Sequence, residues 1–397
     1  MTAPANVCIV RRDGGHTLIE LMVAIIIGLI MVLASFQVLA TFEGHKRTTT
    51  AMNDALQSGS FGLYTLDKLV RSSGTGLVQS ALLSYGCLLN YTSSGGVAVS
   101  NGAVTVTLPV PFDTVLSAGG GKLRLAPAVI FPGATPYPST TAPSDVFLLM
   151  SGGAGYGEVP ISIRAPPPTS TQLTVDSTVG LRATDWLLIG SNGVPACTVT
   201  SVASTLSNVA LTLNGAASLS SYSNGYVVGL GSAQAASFVM YGVGANNSLY
   251  NVDLLNSDLT TAQLVSDDIV MLRAVYGVDP GATGSLTWTT PSAGVVIAGI
   301  TYNYSPAGLL SGATAATAAL RSIKAIRAAV VVRAPLSERT DASDTTIGTG
   351  HAVNAGTYTL FSALPAAVRA TWTVPAGQEG YRYRVLEGTI PLRNASP

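Results

Sequence analysis

Gly15-His16-Thr17-Leu18-Ile19-Glu20-Leu21-Met22-Val23-Ala24 opens an apolar run that extends from Leu21 to Phe42 and is broken only by Gly28, Ser35, Gln37 and Thr41. Roughly 20 such residues in a helix cross a bilayer. A cleavable secretory signal has a shorter apolar core, about 7–15 residues, followed by a small-residue cleavage site. This run is too long for that, and it continues into further helix. Phe42, His45, Thr49, Met52, Leu56, Gly59, Leu63, Leu66 and Val70 follow at alternating spacings of three and four, which places them on one helical face. The spacing predicts one helix from about Thr17 to Arg71, ~80 Å long at about 1.5 Å per residue. Its first half is apolar all round and suits lipid or other helices, whereas its amphipathic second half suits the surface of a globular body.

Glu20 stands at the start of the apolar segment. A carboxylate at membrane depth is costly, is functional by default and calls for a neutralising partner. Residues 15–24 resemble the type IV prepilin signal, in which a prepilin peptidase cuts after the glycine and methylates the new amino terminus. The resemblance implies cleavage between Gly15 and His16, with Glu20 as the fifth residue of the mature chain. Its carboxylate then pairs with the amino terminus of a neighbouring subunit. The residue after the cut is usually Phe, where this chain has His16. Major pilins commonly carry a Pro where this chain has Gln37, which points to a minor pilin or pseudopilin. Charge does not orient the segment, because Arg11, Arg12 and Asp13 on one side and Glu43, Lys46 and Arg47 on the other each net +1. It is the family that puts the leader in the cytoplasm and the body in the periplasm.

Further segments resemble, in this order, the PilW-type minor pilins of type IV pili. They are Leu69-Val70-Arg71, Tyr85-Gly86-Cys87, Val265 to Asp279 (VSDDIVMLRAVYGVD), Ile326 to Arg333, Tyr383-Arg384 and Pro391-Leu392-Arg393-Asn394. Residues 113–220 do not follow that pattern and are read as an insertion. The leader contains Cys8, so its removal leaves Cys87 and Cys197 as an even pair in an oxidising compartment. Bonded, they would close a loop of ~110 residues, worth about 4–5 kcal/mol in the chain-entropy model. The alternative is two buried free thiols.

Composition agrees with a β-rich body. The 397 residues are 47% hydrophobic and only 10% charged, with 42 Gly and 21 Pro. Such a chain buries a large core and covers its surface with hydroxyls and small side chains. Twenty Lys and Arg against twenty Asp and Glu give a formal charge of +0, so no basic field collects phosphates and nucleic-acid binding is not expected. Three Cys and three His argue against a zinc site. Short β-branched runs between turn signals predict antiparallel strands. These include Asp145 to Met150, Trp186 to Ile189, Tyr226 to Leu230, Ile269 to Tyr276, Ile323 to Val332 and Tyr381 to Leu392. A short helix is predicted at Thr260 to Val265, and Ser311 to Ala319 reads as a flexible loop.

Sites for chemistry are few. Gly119-Gly120-Gly121-Lys122 lacks the first glycine and the final hydroxyl of a phosphate loop and reads as a turn. His351 follows a polar stretch with no nucleophile elbow nearby. Asp267-Asp268 and Asp341/Asp344 lack calcium-loop spacing; Asp268 and Asp279 read as capping and turn residues. Arg327, Arg333, Arg384 and Arg393 are expected to pair with acids inside the fold. No catalytic residue, metal or cofactor is assigned.

The expected fold is α+β and type IV pilin-like, with a long N-terminal helix, transmembrane in its first half, packed on a β-rich antiparallel head. Expected segments are a cleaved leader at 1–15, an assembly half at 16–43, an amphipathic half at 44–72 and a head at 73–397. The resemblance implies a non-enzymatic minor pilin that helps initiate assembly at or near the pilus tip and supports adhesion, twitching motility or DNA uptake. Its partners would be prepilin peptidase, the other minor pilins, the major pilin and the inner membrane, with a tip adhesin as a further candidate. It would reside in the inner membrane before assembly, head in the periplasm, and then in the surface fibre. One alternative is a J-type minor pseudopilin of type II secretion. The other is a membrane-anchored periplasmic enzyme or carbohydrate-binding module, which would require a site in residues 113–220, where Trp186 is the only candidate sugar platform.

Overall fold

A computed structural model describes residues 17–118, 120–139, 142–215, 219–337 and 356–392. Two compact units follow one another along the chain, the first ending at Ala51 and the second beginning at Met52. One α-helix, α1 (Leu18–Ser72, 55 residues), runs through both. In the first unit the side chains of residues 17–40 are all exposed.

In the second unit the buried line of α1 is Met52, Ala55, Gly59, Gly62, Leu66 and Val70, again at three-four spacing. Leu56 and Leu63, expected on the buried line, are only half-buried. Small residues take the centre because the sheets approach the helix backbone closely there. A Cβ on Gly59 would run into Val332 Cγ1, and one on Gly62 would lie 2.7 Å from Ile269 Cδ1. The approach is fixed by hydrogen bonds, since Tyr241 OH donates to Gly62 O (2.7 Å) and Ser266 Oγ donates to Ser58 O (2.7 Å). Gly59→Ala is therefore expected to destabilise the head by about 1–3 kcal/mol through overpacking, although alanine is the better helix former by about 1 kcal/mol. Chemical denaturation of the full chain in detergent checks this, with the exposed Ser60→Ala as the near-neutral control.

Two antiparallel sheets carry the helix. The first has five strands in the order Gln263–Ser266, Ser248–Asp253, Ser237–Gly244, Ala142–Ser151, Ala128–Ser139. The second has four, in the order Thr287–Thr289, Ile269–Val278, Ile323–Arg333, Tyr383–Pro391. Ile323–Arg333 is buried along nearly its whole length because both its faces are covered. Val332 faces Gly59 of α1, while Ala329 and Val331 join a core with Phe361, Trp372 and Tyr383.

A run of side-chain bonds joins the two sheets. Leu272 N–H donates to Ser144 Oγ (3.3 Å), Ala274 N–H to Asp145 Oδ2 (2.9 Å), Arg273 Nη1 to Asp145 Oδ1 (2.8 Å), and Ile130 N–H to Tyr276 OH (2.6 Å).

Three expectations change. Segment 113–220 is not a single insertion, because Ala128–Ser139 and Ala142–Ser151 are members of the five-stranded sheet. The chain that leaves and returns is 152–236. It builds most of a third sheet of nine strands, with strands Trp186–Gly190, Ala196–Ser207 and Tyr226–Gly231 adjacent. Residues 314–322 form a helix, α2 (Thr314–Ser322), rather than a loop. Alanine is a strong helix former, and Ala316, Ala319 and Leu320 are buried at three-four spacing. Thr260 to Val265 is not a helix. Asp258 accepts the Thr260 N–H (3.1 Å) in a turn, and Gln263–Ser266 then pairs as an edge strand.

Candidate functional site

The N-terminal end of α1 is assembled from residues that satisfy its first turn. Thr17 Oγ1 accepts the Glu20 N–H (3.3 Å), a side-chain cap on one of the amides that a helix start leaves without an intrahelical partner. Glu20 lies in the first turn, where the helix dipole favours a negative charge. From Leu18 to Ala40 the helix offers 23 apolar-rich residues, none of them buried. At about 1.5 Å per residue that is ~35 Å, enough for a hydrocarbon layer of about 30 Å. β-Branched residues such as Ile25, Ile26, Ile27 and Ile30 are accommodated because a helix satisfies its backbone internally, as an apolar environment demands. Gly15 and His16 lie outside the described residues.

In the second unit Cys87 and Cys197 form a disulfide, with Cα atoms 5.7 Å apart and a sequence separation of 110. The pair stands at a parallel junction in the nine-stranded sheet, where Leu88, Leu89 and Asn90 face Ala196, Cys197 and Thr198.

The remaining sequence candidates are structural. Trp186 is 7% exposed and so offers no sugar platform. Asp267 accepts from Ser248 Oγ (2.8 Å). Burial raises the Asp268 carboxyl above its ordinary value, with Asp267 adding to the effect. Asp279 accepts from the N–H groups of Thr283 (2.9 Å) and Gly284 (2.7 Å), and these bonds, Thr283 first, hold its pKa below the ordinary value. It thereby closes the turn after Ile269–Val278. Arg327 pairs with Glu387 (2.8 Å), and Arg333 lies over the Tyr381 ring, 4.3 Å from its centre. Among the described residues no three His, Cys, Asp or Glu gather as metal ligands. Asp341, Asp344, His351, Arg393 and Asn394 lie outside the described residues, as does Gly119.

A cavity of about 720 Å³ opens beside α2, lined by Ile300, Tyr302, Asn303 and a row of alanines. It holds no Asp, Glu, Lys, Arg, His or Cys among its lining residues. Sequence reasoning did not single out Asp145, the buried carboxylate that joins the two sheets, because an Asp at the start of a strand reads as a turn residue.

Comparison with known proteins adds three findings. Residues 234–394 match the family model described as type IV pilus-assembly protein W, and residues 10–36 match the prokaryotic N-terminal methylation motif. Among solved structures, a type IV-like pilin from Thermus thermophilus matches at 13% identity, with 55% of this chain and 90% of that chain covered and a TM-score of 0.21. Among curated proteins no sequence match is found.

Proposed function

We propose, from the match of residues 234–394 to the type IV pilus-assembly protein W family and of residues 10–36 to the N-terminal methylation motif, that this chain is a PilW-type minor pilin that helps initiate type IV pilus assembly at or near the tip. The methylation motif implies processing by prepilin peptidase and interaction with pilus components, and the exposed apolar helix serves as membrane anchor before incorporation. The role is structural rather than enzymatic.

The observation that carries this reading is the order of parts. A methylation motif (10–36) overlaps an apolar helix exposed from Leu18 to Ala40, and a PilW-type region (234–394) follows. A bare anchor has no need of the motif, and the PilW match favours the pilus form over the J-type pseudopilin. On this reading the mature chain starts at His16. The helix stays in the inner membrane with its head in the periplasm until the fibre takes it up, and Glu20 sets its register against the neighbouring subunit. Other minor pilins, the major pilin and a tip adhesin are the partners this position supplies, and adhesion, twitching motility or DNA uptake are its consequences.

The test is the N-terminal sequence and mass of the protein from membranes and from sheared pili, with and without prepilin peptidase. A methylated His16 terminus that requires the peptidase and is present in sheared pili is the expected result. An intact Met1, or cleavage elsewhere, would overturn the reading and return attention to the β-rich body as an anchored binding module.

A further inference from the structure

Strands Ala142–Ser151 and Ser237–Gly244 are antiparallel neighbours that begin their pairing at Ser151 opposite Ser237, with the two hydroxyls 3.1 Å apart. Such neighbours are ordinarily joined by a few residues. Here residues 152–236 leave and return at one point. They bring a core of their own: Ile163, Leu173, Val175, Leu187, Ile189 and Val202 belong to a buried cluster whose members all lie between Ile163 and Val227. A segment that enters and exits at adjacent backbone positions and buries its own apolar side chains has the anatomy of an inserted subdomain.

At its ends Gly152 N–H donates to Thr75 O (2.7 Å) and Asn256 Nδ2 donates to Ala236 O (2.7 Å); elsewhere its backbone attachment to the rest of the head is small. Leu88–Asn90 pairs in parallel with Ala196–Thr198 over three residues, with Leu88 N–H donating to Pro195 O (2.8 Å), and Tyr226 OH donates to Leu83 O (2.9 Å). Leu88–Asn90 is itself tied to the other side: Leu89 N–H donates to Leu123 O (3.2 Å), Leu125 N–H to Cys87 O (3.0 Å), and Tyr91 OH to Leu254 O (3.1 Å). The Cys87–Cys197 bond therefore crosses the seam between insert and head. Leu188, Val228 and Leu230, on strands of the insert but outside its own core cluster, are also buried, so docking has an apolar component. A three-residue parallel ladder is a weak determinant of register, and the covalent bond supplies what the ladder lacks.

We propose that residues 152–236 are an inserted module folded on its own core, and that Cys87–Cys197 is a redox-sensitive latch that fixes this module on the head. Opening the latch takes a dithiol reductant. Two electrons and two protons pass to the two Sγ atoms, the S–S bond breaks to give two thiols, and the reductant leaves as its own disulfide. The latch deepens the proposed function and rests on that reading only for its oxidising setting, which closes it once the head is outside the cytoplasm.

Hydrogen exchange read by mass spectrometry tests the latch on the full chain in detergent, in a Cys8→Ser background so that only this pair reacts. Samples are compared before and after dithiothreitol, with Cys87→Ser/Cys197→Ser as the permanently open form. The expected result is at least about tenfold faster exchange at Leu88–Asn90 and Ala196–Thr198. Amides of Leu187–Ile189 in the insert and Met240–Val243 in the head should keep their protection. Unchanged exchange at the seam would overturn the latch. Loss of protection at Leu187–Ile189 together with the seam would overturn the independent core. Neither readout depends on pilus incorporation, so failure here and failure of N-terminal processing are separate results.

Discussion

Asp145→Ala is expected to cost the head about 3–5 kcal/mol, the range for removing one partner of a buried ion pair. Asp145 is 2% exposed and Arg273 25% exposed at the side chain. Three donors converge on the carboxylate: Arg273 Nη1 (2.8 Å), Gly133 N–H (2.9 Å) and Ala274 N–H (2.9 Å). Truncation leaves a cation and two amides without their acceptor, and an unsatisfied buried donor costs about 1–3 kcal/mol. Burial pushes the Asp145 carboxyl above its ordinary value, with Arg273 and the two amides opposing it, so the site is costly to charge and costly to leave half-made. Removing both charges with Asp145→Ala/Arg273→Met should recover only the part of the loss due to the unpaired cation, because the Gly133 and Ala274 amides stay without their acceptor, and a double-mutant cycle measured by chemical denaturation reads that coupling. A loss under about 1 kcal/mol for Asp145→Ala would mean that sheet packing alone holds the five- and four-stranded sheets together.

Which parts of this architecture can be read from the sequence follows from how periodic each part is. The helix Leu18–Ser72 is legible because its apolar positions repeat at three and four without proline, and the strands Ile269–Val278 and Ile323–Arg333 because they are long β-branched runs. The centre of the helix contact is less legible. Gly59 and Gly62 form it; the sequence stripe includes Gly59 but runs through Leu56 and Leu63 rather than Gly62, because a glycine carries no apolar signal. Ser237–Gly244 is buried on both faces and shows no alternation, which hides it as a strand. Its partner, Ala142–Ser151, lies on the far side of residues 152–236. No local pattern announces that two strands so far apart form one hairpin, and so the insertion reads as beginning too early in the chain.

The candidate site shows the same contrast. Glu20 stands out because a carboxylate in an apolar helix is a rare composition, and the two cysteines because so few exist. Asp145 does not, since its partners Gly133 and Ala274 are backbone amides brought together only by the fold. A motif shows chemistry that a residue type carries by itself, whereas a cross-sheet tie depends on register, which the sequence specifies only through the whole core.

Glu20→Ala is expected to leave the head folded and to lower incorporation into pili by about a hundredfold, the scale set by removing one partner of a buried ion pair. Glu20 lies in the first turn of α1, behind the Thr17 cap and ahead of the exposed apolar face that ends at Ala40. The head core lies in the second unit, beyond Ala51, so melting of the variant should match that of the parent chain. Among helices in a shared apolar environment, burial alone gives little preference for one axial register over another, because lipid and neighbouring helix are similarly apolar. A charge that must find its counter-charge does distinguish them. Glu20→Gln separates charge from shape, keeping the size and one acceptor oxygen while removing the ionised form. The proposed pairing with a neighbour's amino terminus predicts that Gln loses incorporation as severely as Ala, measured as the ratio of protein in sheared pili to protein in membranes. Incorporation retained by Gln but lost by Ala would assign the role to hydrogen bonding, and incorporation retained by both would remove Glu20 from assembly altogether.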